Sequence, residues 1–161
     1  MTSAKASRRT TPGGREWYEK AADKGEASAM FGLGLLYQNG QGVPQDYAKA
    51  REWYGKAAAN GNASAMTDLG LLYDNGQGVP QDYAKAREWY EKAAAKGEAS
   101  AMTDLGLLYQ NGQGVPQDYA KAREWYEKAA GAGDASAKQQ LDSLAITEAA
   151  AGRYGVAVDF H

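Results

Sequence analysis

The sequence predicts an all-α fold, a solenoid of antiparallel helix pairs. Three observations carry that expectation. Tryptophans stand at positions 17, 53, 89 and 125, each 36 residues after the last. The unit around them recurs with them, from Arg15 to Ala50, Arg51 to Ala86, Arg87 to Ala122, and in part from Arg123. Within the unit no segment alternates with period 2, β-branched residues are few, and alanine, the best helix former, is abundant. A fixed period of this size marks a repeat array, in which most residues hold one copy against the next. The first and third copies differ at only three positions, Asp23/Ala95, Phe31/Thr103 and Gly32/Asp104.

The elements follow in order. Residues 1–14, MTSAKASRRTTPGG, are polar and are expected to be a disordered tail. They lack the apolar stretch of a secretory signal, so the chain as written reads as cytoplasmic. Residues 15–25 form a half repeat, a lone second-type helix, and repeats span about 26–61, 62–97 and 98–133. In the first full repeat, helix A covers about 27–39 and helix B about 45–59. Gly40 fits a left-handed residue closing helix A. Pro44 suits the first turn of helix B, where its missing N–H costs nothing, and Asp46 then favours the positive dipole end. Gly61 closes helix B. A capping helix is expected over about 135–151. There Met102 becomes Lys138, Gly106 becomes Asp142, Leu107 becomes Ser143 and Tyr109 becomes Ala145, the polar outer face of a terminal repeat.

At 100° per residue the faces separate. Helix A turns Ala29, Met30, Leu33 and Tyr37 to the core. Helix B is expected to bury Tyr47, Ala50, Trp53, Tyr54 and Ala57, the aromatic pair needing partners for its polar tips. Glu16/Lys20, Glu52/Lys56, Glu88/Lys92 and Glu124/Lys128 are spaced for i,i+4 pairing.

Residues 29–61 carry the pattern A-x-x-x-LG-x-x-Y-x-x-G-x-GV-x-x-D-x-x-KA-x-x-WY-x-KAA-x-x-G, and it recurs over 65–97 and 101–133. This resembles the Sel1-like repeat, a relative of the 34-residue tetratricopeptide unit, which lacks the GxGV loop. The resemblance implies a right-handed α/α superhelix and work as a protein–protein adaptor, often in bacteria. One departure is Gly55, where the other copies carry glutamate. A cysteine-rich bacterial branch of the family is associated with lactam binding. This chain has no cysteine, which removes the basis for reading it as a cell-wall or lactam-binding enzyme.

Composition narrows the function. Net charge is −2 with the signs interspersed, without the basic stripe a nucleic acid would want. No apolar run approaches the roughly 20 residues of a membrane span. The lone histidine, His161, is the last residue, so no Ser-His-Asp arrangement has a usable base. No catalytic residue, metal or cofactor is expected. The binding candidate is the helix A face opposite the core, expected to line a concave groove. Its rows are Ser28/Ser64/Ser100, Gly32/Asp68/Asp104, Leu35/Leu71/Leu107 and Asn39/Asn75/Asn111, flanked by Phe31/Thr67/Thr103 and Gln38/Asp74/Gln110. The asparagines can both donate to and accept from a peptide backbone, or cap helix A. Asp68 and Asp104 favour a basic peptide, or are solvated surface. Phe31 marks a specificity pocket, or drift. The expected partner is thus a protein or an extended, basic peptide. The alternative is a structural or engineered consensus-type module with no ligand. In residues 152–161, Tyr154, Val156, Val158 and Phe160 alternate, which reads as an extended segment able to lie in a groove, its own or a neighbour's, and predicts self-association alongside a frayed end.

Overall fold

The computed structural model describes the backbone of residues 14–159 and the side chains of residues 14–152. The expected disorder of residues 1–14 lies outside the described residues except for its last position. Eight α-helices and no strand are present among the described residues. Helix α1 covers residues 14–23. It is followed by α2 (Ala27–Asn39), α3 (Tyr47–Ala59), α4 (Ala63–Asn75), α5 (Tyr83–Ala95), α6 (Ala99–Asn111), α7 (Tyr119–Gly131) and α8 (Ala135–Asp159). The chain divides into two compact units between Trp89 and Tyr90, within α5.

Helix A has the expected bounds. Gly40 is its C-cap at φ 65°, ψ 38°, a conformation that strains any residue with a Cβ, and its N–H returns to the Leu36 carbonyl. Helix B starts two residues later than expected. The Asp46 carboxylate accepts from the Lys49 N–H at 3.1 Å, which makes Asp46 the N-cap and leaves Pro44 outside the helix. Its other end closes as expected at Gly61, which follows the C-cap Asn60 at φ 90° and donates its N–H to the Ala58 carbonyl at 2.9 Å. The Asn60 amide donates to the Lys56 carbonyl at 2.8 Å. The intervening loop is tied back to helix A by a glutamine: Gln45 Nε2 donates to the Gln38 carbonyl at 2.8 Å, and Gln81 and Gln117 repeat the contact on Asp74 and Gln110.

In the first unit α2 packs on α3 and α3 on α4; in the second α6 packs on α7 and α7 on α8. Ala29, Met30 and Leu33 are buried as expected, while Tyr37 is only half-buried. Helix B departs further. Ala50, Tyr54 and Ala57 are buried, but Tyr47 and Trp53 are half-buried and Trp17 is 72% exposed. Tyrosine fills the core because helix A leaves a gap for it. A Cβ placed on Gly34 would overlap Cε1 of Tyr54, and one on Gly106 would overlap Cε1 of Tyr126. Trp53 instead lies towards the surface with the Lys56 ammonium 4.4 Å from its ring centroid, and Lys128 covers Trp125 at 4.6 Å.

The last helix corrects the reading of the C-terminal segment. The backbone stays helical through Asp159, so residues 152–159 are not the extended strand that the alternation of Tyr154, Val156 and Val158 suggested. Extending a helix already nucleated in an alanine-rich stretch costs little per residue, and this outweighs a short alternation. Lys138, Asp142, Ser143 and Ala145 are all exposed on α8. No helix among the described residues is long and apolar enough to cross a membrane.

Candidate functional site

The helix A face is best described one unit at a time. In the first unit α4 buries Ala65, Met66, Thr67, Leu69, Gly70 and Leu72. That leaves Asp68, Leu71 and Asn75 along one stripe, spaced three and four residues apart. Asp68 is half-buried, Asn75 is exposed, and Leu71 is 37% exposed, an uncovered large aliphatic side chain. On α2 of the same unit, Leu35 is half-buried and Asn39 exposed. In the second unit α6 carries half-buried Asp104 and Leu107 and exposed Asn111. Leu107 packs against the buried cluster of Ala122, Tyr126 and Leu144, so its row contributes to packing there.

Beneath the stripe lies a polar anchor. Tyr54 is fully buried, and its hydroxyl donates to Oε1 of Gln38 at 2.7 Å. Tyr126 repeats this with Gln110 at 2.6 Å. Burial raises both phenols, and a carboxylate adds to it, Asp68 near Tyr54 and Asp104 near Tyr126. Tyr126 is pushed up to about 12, and Tyr54 higher. The buried phenols therefore stay neutral donors, and the two aspartates sit over the core tyrosines as well as on the helix surface.

Two rows differ from expectation. Gly32 does not belong to an open face: it is buried, and a Cβ there would fall 2.7 Å from Cε1 of Tyr18. The next copies carry aspartate at that place, Asp68 and Asp104. The Phe31/Thr67/Thr103 row is not an open groove edge either. Thr67 and Thr103 are buried, and Phe31 is half-buried with its ring centroid 5.7 Å from that of Tyr54. Thr103 donates to Oδ2 of Asp134 at 2.6 Å, while Oδ1 of Asp134 accepts from the N–H and hydroxyl of Ser136 in the first turn of α8. Those hydrogen bonds, Thr103 first, hold the Asp134 carboxyl below its ordinary value. In the sequence Gln38 and Gln110 stand only as part of a flanking row. Their spacing from the core tyrosines, 16 residues in both copies, was the signal that would have paired them.

Among the described residues, no three His, Cys, Asp or Glu side chains gather as metal ligands would. A family model described as Sel1 repeat matches residues 13–26, 27–62, 63–98 and 99–134. Among solved structures, the chain is similar to a protective antigen of uropathogenic Escherichia coli displaying an SLR fold. The two share 45% identity at a TM-score of 0.75, over 78% of this chain and 27% of that one. A Sel1 repeat protein from Oxalobacter formigenes is 37% identical at a TM-score of 0.68, over 72% of this chain and 48% of that one. The cysteine rich protein B of Helicobacter pylori is 25% identical at a TM-score of 0.65, over 83% and 96%. The chain thus spans about a quarter of the first protein's length and about half of the second's. A search of curated proteins returned no match.

Proposed function

The chain belongs to the Sel1 repeat family, whose members are generally non-catalytic protein-interaction scaffolds, and from that premise we propose that its helix A face binds an extended, basic segment of a partner protein. The observation that supports this most is the stripe on α4. Leu71 is uncovered between a half-buried carboxylate and an exposed asparagine, while Ala65, Met66, Thr67, Leu69, Gly70 and Leu72 of the same helix are buried. Leu71 offers apolar area, Asp68 a charge for Lys or Arg, and Asn75 a donor and an acceptor for peptide backbone. On α6 Asp104 and Asn111 supply the same polar pair, with Leu107 more deeply seated. On α2 the pattern is weaker, since Gly32 replaces the aspartate and Phe31 packs on Tyr54, leaving Leu35 and Asn39.

A displayed library of random peptides selected on the full chain tests the reading. The enriched peptides are expected to carry Lys or Arg next to an apolar residue, and to lose most of their binding to the double variant Asp68→Lys, Asp104→Lys. Unchanged binding to that variant would show that these carboxylates do not read the ligand. A selection that enriches nothing would favour a module without a ligand of its own.

A further inference from the structure

Each helix B carries an arginine near its start, in the row Arg15, Arg51, Arg87 and Arg123. In three copies a glutamate follows four residues on, as Glu19, Glu91 and Glu127; in the second copy that place is Gly55. The consequence is visible within the first unit. Arg15 Nε makes no hydrogen bond, but the Glu19 carboxylate lies 3.6 Å away. Arg123, in the other unit, reaches Glu148. Arg51 Nε, like Arg15 Nε and Arg87 Nε, is shielded from solvent and makes no hydrogen bond among the described residues; what sets Arg51 apart is Gly55, beside which the space is open. A shielded guanidinium N–H without an acceptor is a cost that an anion would remove.

That arginine lines a cavity of about 340 Å³ whose other walls include Tyr73, Val79, Pro80, Asp82 and Lys85. The cavity is held in shape by its backbone. The loop approaches α3 so closely at Gly78 that a Cβ would fall 2.6 Å from the Tyr47 carbonyl carbon. The Asp82 N–H donates to the Tyr73 carbonyl at 2.9 Å, and the Asp82 carboxylate caps α5 by accepting from the Lys85 N–H at 3.1 Å. Lys85 Nζ is 5.4 Å from the Tyr73 ring centroid.

The geometry points to a carboxylate-binding site in this cavity, with Arg51 as the planar donor, Lys85 as the second cation, and Gly55 as the residue that leaves Arg51 available. Charge selects the ligand. Two cations against the one carboxylate of Asp82 leave a single positive charge, which one carboxylate balances and a phosphate dianion exceeds. Val79, Pro80 and the Tyr73 ring suit a short apolar stem behind that carboxylate. The ligand is therefore a chain-terminal carboxylate or an Asp or Glu side chain of a partner protein. The site lies on α3 and the α4–α5 loop, apart from the α4 stripe.

Amide and arginine Nε resonances of the full chain, followed by NMR, test the site against N-acetyl-Ala-Val with a free carboxylate, its C-terminal amide, N-acetyl-Glu-amide and inorganic phosphate. Saturable shifts are expected at Arg51 Nε, Gly78 and Val79 with the free acids and none with the amide. Response to N-acetyl-Ala-Val alone identifies a chain end, and response to both acids identifies any carboxylate. Gly55→Glu supplies the carboxylate the other copies carry, in open space on a helix, and should weaken binding roughly tenfold, as should Arg51→Gln. Absence of saturable shifts with either acid, equal affinity in Gly55→Glu and wild type, or tighter binding of phosphate than of either acid would overturn the assignment.

Discussion

In the α2–α3 pair, Phe31 lays its ring on Tyr54 at 5.7 Å between centroids and Gly32 lies under Tyr18. In the α6–α7 pair the corresponding residues are Thr103, which sends its hydroxyl to Asp134 at 2.6 Å, and Asp104, whose charge raises Tyr126. The contacts that join helix A to helix B match in the two pairs. Each has a glycine under a fully buried tyrosine, a glutamine on that tyrosine's hydroxyl, a left-handed glycine closing helix A and an aspartate capping helix B. The comparison separates two kinds of position. The glycine–tyrosine–glutamine set is required by how helix A meets helix B. The pair 31/103 and 32/104 answers to whatever lies beside helix A, an aromatic ring in one case and a helix cap in the other.

The largest effect should come from the shared set. Gly34→Ala and Gly106→Ala each force a methyl group into a buried tyrosine ring and should cost about 3 kcal/mol in urea denaturation. If either variant unfolds at the wild-type midpoint, the close approach is not what fixes the pair. Next comes the position that differs. Phe31→Thr removes apolar packing on Tyr54 and should cost about 2 kcal/mol. Its counterpart Thr103→Val removes one hydrogen bond to Asp134 and should cost about 1 kcal/mol. Asp134 is held low in the fold, so its contribution is present above the ordinary carboxylate range and is lost as pH falls through its folded pKa. Thr103→Val should flatten that acid limb, while Phe31→Thr should leave it unchanged.

The alkaline limb sharpens the shared half of the comparison. An unfolded tyrosine loses its proton near pH 10. Tyr126 is raised to about 12 in the fold, so its contribution is complete below about pH 10 and disappears as pH climbs towards about 12. A spectroscopic titration should show exposed phenols ionising first, with Tyr126 and Tyr54 ionising last or only on unfolding. Tyr126→Phe should remove part of the alkaline loss of stability. The smallest effect expected is a gain. Gly55→Ala places a methyl group in open space within α3 and should add about 0.5 to 1 kcal/mol, in contrast to the same substitution at Gly34.

Much of this was legible in the sequence. The 36-residue period, the bounds of helix A and the glycine that ends it followed from composition and turn chemistry. The choice between Trp53 and Tyr54 did not. Neighbours on a helix are 100° apart, and either can face inward; the deciding factor is the gap at Gly34, which belongs to another helix. The start of helix B was misplaced because Pro44 and Asp46 are both start signals, and only the Asp46–Lys49 hydrogen bond shows which one caps. Of the candidate site, Asp68, Leu71 and Asn75 stand on one stripe as the helical period predicted. Gly32 and the Phe31 row were misread because their exposure is set by Tyr18, Tyr54 and Asp134, which helical phase within α2 or α6 does not contain.

The measurement that tests the account most directly is amide hydrogen exchange of the full chain with and without a selected basic peptide. The account predicts added protection on helix A, centred on the Asp68–Leu71–Asn75 stripe of α4. Protection confined to the outer face of helix B, around Trp53 and Lys56, would contradict it.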